Sequence, residues 1–276
     1  MNIVPPSFRT VEADGASADA RRSVYVLHGI FASGRSWRSV ARRLAEARPD
    51  LRMVLVDLHG HGESLDAAPP HTLERCAHEL RALHAVTGPP VAVIGHSFGG
   101  KVAMVHSEGF PVETWVLDSP PGRTADCGEA NRVLEALRAL PEPFESRTEL
   151  DRALNSAEIA PAVITWMQTN VDAAPGGGLR FRFRRDVMAD LLADYRRTDC
   201  WPSALSAASP IVHVRGTRSD RWDPENWARF RTLPPLATLP APGSSSIELD
   251  AGHWVHIDAG EPLLALLIAR LARPRD

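Results

Sequence analysis

The chain has little of what marks a secreted, metal-binding or membrane-spanning protein. Its 276 residues include three cysteines, Cys76, Cys127 and Cys200, whose odd number and irregular spacing predict reduced thiols and no metal site. The longest apolar run, 262–269, is far shorter than the roughly 20 residues needed to cross a bilayer. The N-terminus has no basic stretch followed by an apolar one, so no secretory signal is predicted. We therefore expect a cytoplasmic protein with no membrane partner.

Lysine is also scarce. Lys101 is the single lysine, and the net charge is −3 because acidic residues slightly outnumber basic ones. The sequence has neither a strongly basic balance nor a zinc or RNA-binding motif, so we expect no nucleic-acid partner. The length allows a full hydrophobic core and predicts one large domain, or one domain with an insertion.

The strongest motif lies at residues 91–100, VAVIGHSFGG. A short β-branched run predicts a buried strand, and the next five residues fit G-x-S-x-G. A serine exposed at a sharp strand-to-helix turn needs strained torsions, and Gly95 and Gly99 keep side chains out of the crossing. The helix predicted after the serine directs backbone N–H groups at negative charge that develops there. The motif thus predicts Ser97 as a nucleophile and the Phe98 N–H as an oxyanion donor.

Strand and helix patterns alternate along most of the chain and predict an α/β fold, a mostly parallel central sheet with helices on both faces. Between 122 and 208 the alternation stops, and we predict helices but no strand. Such an insertion is most simply a helical cap over the carboxyl edge of the sheet, where open α/β sheets bind ligands. The predicted organisation is core (1–121), cap (122–208) and core (209–276). Strands are predicted near 7–12 and at 23–28, 51–57, 91–94, 114–117, 211–215 and 246–249.

A serine nucleophile needs a base, and the base needs a third group that sets its tautomer. His253 follows the strand predicted at 246–249. A loop at the carboxyl end of a strand points into the same crevice as Ser97. His253 is therefore the predicted base, and His256 is its nearest rival.

The second oxyanion donor is predicted in the residues that follow the strand 23–28. We choose the Ile30 N–H and keep Phe31 as the alternative. His28 is interpreted as a structural residue that binds nearby loops. Residues 57–64, DLHGHGES, are rich in titratable groups but are typical of a glycine-rich turn held by Asp and His side chains.

Six segments resemble the α/β-hydrolase superfamily in order and spacing: HGIFASGRSW, DLHGHGES, GHSFGGKVAM, WVLDSPPG, RGTRSD and GHWVH. The chain most resembles the small bacterial esterase and acyl-thioesterase branch, whose lid segments are similar to WMQTNV and GGLRFRFRRDV. This resemblance implies an α/β-hydrolase fold with a helical cap inserted after the sixth strand in the family's count. It also implies hydrolysis of esters or thioesters of small to medium acyl groups, without a metal or cofactor.

The resemblance leaves two positions for the triad acid. In most members of the fold the acid follows the strand after the cap, which points to Asp220, one residue beyond the usual position that Ser219 occupies here. In the branch that this chain resembles, the acid follows the earlier strand 114–117, which points to Asp118. We favour Asp118 and keep Asp220 as the alternative. Asp223 precedes a proline and is expected to cap a helix.

Two groups of residues are candidates for substrate contacts. Large apolar side chains mostly form core, but an acyl pocket is predicted at Trp166, Met167 and Trp254. Four arginines alternate with phenylalanines, either as solvated side chains beside core aromatics or as a patch for a phosphate-bearing substrate such as an acyl-CoA. These are Arg180, Arg182, Arg184 and Arg185.

The predicted partner is a small-molecule ester or thioester, and the sequence predicts no oligomeric state. A serine nucleophile excludes the haloalkane dehalogenases and epoxide hydrolases of this fold, which use aspartate. Cofactor-free haloperoxidases and carbon–carbon hydrolases keep the serine and stay as alternatives. A ligand receptor that retains a hydrolase pocket is the alternative from another class.

Overall fold

The structure is a computed structural model that describes residues 3–14, 22–125, 128–236 and 240–273. Cys127, predicted to be a reduced thiol, lies outside these residues. Cys76 and Cys200 are free and buried. Within the described ranges, no helix combines the length and apolarity needed to cross a bilayer.

The main sheet has seven strands in the order β1-β3-β2-β4-β5-β8-β9, and β6 and β7 form a separate pair. In the main sheet β1 runs antiparallel to β3 and the other pairs are parallel, which confirms the predicted α/β-hydrolase fold. The strands are β1 (Phe8–Val11), β2 (Arg22–Leu27), β3 (Leu51–Val56), β4 (Ala92–His96), β5 (Glu113–Leu117), β6 (Val171–Ala173), β7 (Leu179–Phe181), β8 (Pro210–Gly216) and β9 (Gly243–Leu249).

Local sequence signals set the ends of several helices. The Thr72 side chain caps α2 by accepting from Arg75 N. Asp223 caps α9, with Pro224 in its first turn, as predicted. A short 3-10 helix spans Gly34–Trp37. The α-helices are α1 (Arg38–Ala47), α2 (Leu73–Thr87), α3 (Phe98–Gly109), α4 (Glu129–Arg138), α5 (Arg147–Ser156), α6 (Pro161–Gln168), α7 (Arg185–Arg197), α8 (Trp201–Leu205), α9 (Pro224–Phe230), α10 (Val255–Asp258) and α11 (Gly260–Arg270).

The alternation of side chains along β2 builds a core on each face of the sheet. Val24 and Val26 pack in one cluster with α1 and α11. Tyr25 and Leu27 point the other way into a cluster with α2, α3 and the inner side of the cap. Successive residues of a strand face opposite sides, so a strand buried on both faces is apolar throughout.

The register of the parallel strands positions the candidate site. His96 at the end of β4 lies opposite Leu117 at the end of β5. The residues that follow them, Ser97 and Asp118, therefore leave the sheet side by side at its carboxyl edge.

The segment predicted as an all-helical cap contains α4 to α8 but also the antiparallel pair of β6 and β7, in which Val171 lies opposite Phe181. The expectation of no strand between 122 and 208 is therefore wrong. Each strand is three residues long, too short for an alternating pattern to be recognised. The cap segment follows β5. This strand is the sixth in the family's count, because that count has two strands where the described residues before β2 form one.

Candidate active site

Ser97 lies at the turn between β4 and α3 with a backbone φ of 52° and ψ of −119°. A positive φ is rare for a residue with a side chain and costs of order 1–3 kcal/mol. A Cβ added at Gly95 would lie 2.2 Å from the Gly99 carbonyl oxygen, and one at Gly99 would lie 2.6 Å from that of His28. Both glycines are thus required, because the turn passes too close to the start of α3 and to the end of β2 for a side chain to fit.

Two hydrogen bonds connect Ser97, His253 and Asp118. His253 Nε2 lies 3.1 Å from Ser97 Oγ, and His253 Nδ1 lies 2.7 Å from Asp118 Oδ2. A carboxylate can only accept, so Nδ1 carries the proton and Nε2 is left to accept the proton of the serine hydroxyl. The arrangement is that of a nucleophile, a general base and an orienting acid.

Asp118 is fully buried, whereas the alternative acid Asp220 does not reach the histidine. The Asp220 side chain is 80% exposed and forms an ion pair with Arg221. The loop after β8 instead turns Ser219 inward, where its Oγ lies 2.5 Å from Asp118 Oδ2. The alternative acid is therefore wrong in this structure, because its side chain points to solvent.

The two predicted oxyanion donors differ in how the structure supports them. Phe98 is the first residue of α3, so its N–H has no acceptor within the helix. Gly29 is near enough that a Cβ on it would lie 3.5 Å from Ser97 Cβ, which places the Ile30 loop beside the serine. The alternative donor, Phe31 N–H, is already donated to His61 Nε2 at 3.2 Å, and this leaves Ile30 as the candidate.

His28 and the turn 57–64 have structural contacts, as the sequence predicts. His28 Nε2 accepts from Leu58 N at 3.0 Å. The Asp57 carboxylate accepts from the backbone N–H of Gly34 at 2.7 Å and of Glu63 at 2.9 Å. Burial lowers the pKa of His28, and these groups hold loops in place beside the site.

His96 was not predicted from the sequence as a site residue. Its Nε2 lies 2.9 Å from the His253 carbonyl oxygen and therefore donates to it, which supports the loop that carries the candidate base. Burial holds the pKa of His96 well below its usual range. His256, the rival base, stacks on Trp37 with ring centres 4.4 Å apart, and burial lowers its pKa to about 4.

A cavity of about 700 Å³ opens above Ser97 and His253. Trp166 and Trp254 line it as predicted, with ring centres 5.9 Å apart. Met167 does not: it is fully buried in the cluster on that face of the sheet. Consecutive helix residues point about 100° apart, and on α6 Trp166 faces the cavity while Met167 faces the core. Further apolar lining comes from Ile30, Phe31, Phe98, Val133, Val163, Leu192 and Tyr195.

Three of the four cap arginines are engaged by protein groups. Arg182 is buried and pairs with Glu63 and Asp172. The other two pair with neighbouring acids, and the fourth, Arg180, is exposed. The pairs are Arg184 with Asp186 and Arg185 with Glu142. Their charges are therefore largely neutralised, which weakens the interpretation as a phosphate patch.

Lys101 on α3 is fully buried and connects the core to both ends of the cap. Its Nζ donates to the carbonyl oxygens of Gly122 at 2.7 Å, Tyr195 at 2.7 Å and Thr198 at 2.9 Å. The ammonium also lies 4.3 Å from the centre of the Tyr195 ring, a cation–π contact. Sequence reasoning assigned it no role, although a single lysine one turn after the nucleophile was a usable signal.

The geometry agrees with the comparisons to known proteins. The sequence model of the alpha/beta hydrolase family matches residues 24–266. The chain belongs to this family. It is 31% identical to Lipase LipV of Mycobacterium tuberculosis over 95% of this chain and 97% of that lipase. An sn-1-specific diacylglycerol lipase of Mus musculus is 26% identical, over 99% of this chain and 87% of the relative.

A solved structure also matches almost the whole length. A marine microorganism esterase superimposes with a TM-score of 0.74 at 20% identity, covering 96% of this chain and 97% of the esterase. At that identity the match supports the fold. Membership of this family, together with the similarity to the two lipases, identifies the protein as a hydrolase.

Proposed function

We propose that the protein is a serine hydrolase that cleaves carboxylic esters or thioesters of small to medium acyl groups through an acyl-enzyme on Ser97. The observation that carries this proposal is the pair of hydrogen bonds from Asp118 through His253 to the serine hydroxyl. The similarity to lipases supports the class of reaction.

In acylation, Ser97 Oγ attacks the carbonyl carbon while its proton passes to His253 Nε2. The carbonyl oxygen becomes an oxyanion and accepts from the N–H groups of Phe98 and Ile30. His253 then donates its proton to the alkoxide or thiolate as the bond to the leaving group breaks. A water molecule repeats the sequence on the acyl-enzyme, its proton moving through His253 back to Ser97 as the acid is released.

The cavity suggests where the acyl group lies. Trp166, Leu192 and Val163 of the cap face Ser97 across an apolar space. Each buried methylene contributes roughly 0.8 kcal/mol, so the specificity constant should rise with chain length until the space is filled.

Labelling with a fluorophosphonate probe tests the nucleophile, with Ser97→Ala as the matched control. Wild-type protein should be labelled at Ser97, and the variant should lose both label and turnover by several powers of ten. Equal labelling of the two proteins would contradict the proposal.

A chain-length series of nitrophenyl esters beside matching acyl-CoAs tests the substrate class. Preferential hydrolysis of short to medium chains supports the proposed specificity, and the ratio of ester to thioester turnover distinguishes the two classes. An absence of hydrolysis across the whole panel would favour a receptor, a cofactor-free haloperoxidase or a carbon–carbon hydrolase.

A further inference from the structure

The buried carboxylate of Asp118 accepts four hydrogen bonds. Its Oδ1 accepts from Gly216 N at 3.1 Å and from Trp222 Nε1 at 3.0 Å. Its Oδ2 accepts from His253 Nδ1 at 2.7 Å and from Ser219 Oγ at 2.5 Å. Two acceptor positions on each oxygen are thereby filled, as a fully buried carboxylate requires.

Ser219 differs from the other two loop donors because it shares one oxygen with the candidate base. Its hydroxyl oxygen accepts from Arg221 N at 3.3 Å, so the hydroxyl proton is directed at Asp118. The turn is closed by the Ser219 N–H, which donates to Gly216 O at 3.0 Å. The side chain therefore has a defined direction in the absence of any substrate.

We propose that Ser219 is a positioning residue, whose hydroxyl orients the oxygen of Asp118 that accepts from His253 and reduces the basicity of that oxygen. This role rests on the proposed function. Without the hydroxyl, Oδ2 of Asp118 loses a charge-assisted hydrogen bond and is held less precisely towards the histidine. The negative charge on Oδ2 is then shared with His253 alone, which favours the imidazolium form.

The other titratable and charged groups near His253 include His96, His256, Arg221 on the cavity wall and Asp258, whose carboxylate accepts from Gly252 N at 2.8 Å. The ring of His96 lies 4.8 Å from that of His253. Burial lowers the pKa of His96 well below its usual range and that of His256 to about 4, so both stay neutral near neutral pH. A shift of the acid limb of the kcat/KM against pH profile in a Ser219 variant therefore reflects a change in the interaction between Asp118 and His253.

The test compares Ser219→Ala, Ser219→Cys and the control Thr217→Ala, a hydroxyl removed from the exposed side of the same loop. For each protein, kcat, KM and the pH dependence of kcat/KM are measured with one nitrophenyl ester. The rate of fluorophosphonate labelling is measured in parallel, because it follows the nucleophile without requiring the correct acyl group.

Ser219→Ala should lower kcat about tenfold, the factor expected for the loss of one charge-assisted hydrogen bond. KM should change by less than about twofold, because Ser219 does not line the cavity. The acid limb should move about half a pH unit upward. Ser219→Cys should be intermediate because a thiol is a weaker donor, and it replaces the alanine variant if that variant fails to fold. Thr217→Ala should match the wild type.

If the Ser219 variants keep the kcat and the acid limb of the wild-type protein, the positioning role is overturned while the proposed function stands. Equal losses in Thr217→Ala would overturn it as well, because they would show a general effect of the loop. Wild-type protein that neither hydrolyses an ester nor takes up the fluorophosphonate would instead overturn the proposed function, and the positioning role with it.

Discussion

The carboxyl edge of the sheet and the cap above it differ in what holds their side chains in place. At the edge, strand register and backbone torsions place Ser97 beside Asp118. The cap is instead held in place by side-chain contacts. Arg182 pairs with Glu63 of the core, and Lys101 binds carbonyl oxygens at both ends of the cap.

This difference suggests that the sheet edge determines the reaction, whereas the cap determines which substrates are accepted. Positions set by the backbone of a seven-stranded sheet vary little with single substitutions, so the reacting groups keep their geometry. Positions set by side-chain contacts can be altered one at a time, which makes the cap the region where the pocket can change. Substitutions at the edge should therefore affect turnover, and those in the cap should affect stability or substrate choice.

The largest effect is expected at the edge. Asp118→Asn should preserve the fold but leave His253 in the wrong tautomer, lowering kcat by up to about 10⁴. Asp220→Asn is the matched control and should leave kcat nearly unchanged, because that side chain is exposed. Steady-state kinetics decide the matter, and a larger loss in the Asp220 variant would reverse the assignment of the acid.

Lys101→Met should break the attachment of the cap. Three carbonyl oxygens lose the buried ammonium that donates to them, which should lower the free energy of unfolding by about 4 kcal/mol. Urea denaturation measures this change, with Arg42→Met as the control, since the exposed pair of Arg42 and Glu46 contributes less than about 1 kcal/mol. Similar losses in the two variants would mean that the buried ammonium has no special role.

Neighbouring residues of α6 should separate packing from selectivity. Met167→Ala should destabilise the protein by about 3 kcal/mol, because it leaves a cavity in the core, while the chain-length profile stays unchanged. Trp166→Ala should cost less stability, since the side chain is only half-buried, and should shift the preferred ester length. Thermal unfolding and the ester series together provide the check; an altered profile in Met167→Ala would place that residue in the pocket after all.

The smallest effect concerns His213, a buried residue of β8. Burial lowers its pKa to about 3, against about 6.5 in an unfolded chain. Its contribution to stability is therefore complete above about pH 6.5. As the pH falls toward 3, the unfolded chain binds a proton that the folded chain does not, and up to about 1.4 kcal/mol is lost per pH unit.

His213→Gln should make this pH dependence shallower by that amount while keeping a donor for Ser244, which the histidine Nε2 contacts at 3.2 Å. Urea denaturation between pH 6.5 and pH 4 measures the slope. His78→Gln, at a partly exposed histidine of α2, should keep the wild-type slope, and an equal change in both variants would contradict the burial argument.

The sharp turn that carries the proposed nucleophile was predictable because Gly95 and Gly99 encode it locally, and the fold was predictable because its strands and helices alternate. The acid was not decided by local pattern: Asp118 and Asp220 both follow strands, and the inward turn of Ser219 depends on contacts between distant segments. The same limit applies to Phe31, whose N–H is occupied by a histidine thirty residues away. Met167 was misassigned because hydrophobicity alone does not show which face of α6 points to the cavity.

Lys101 carries the single side-chain amine of the sequence, and that amine is enclosed among three carbonyl oxygens. A water-soluble acylating reagent such as a succinimidyl ester can modify it only after these contacts open. Mass analysis of the peptide that contains Lys101 separates this event from reaction at the α-amino group. The modification rate therefore measures how often the cap lifts from the core, and the protein carries a chemical reporter of its own opening without any engineered label.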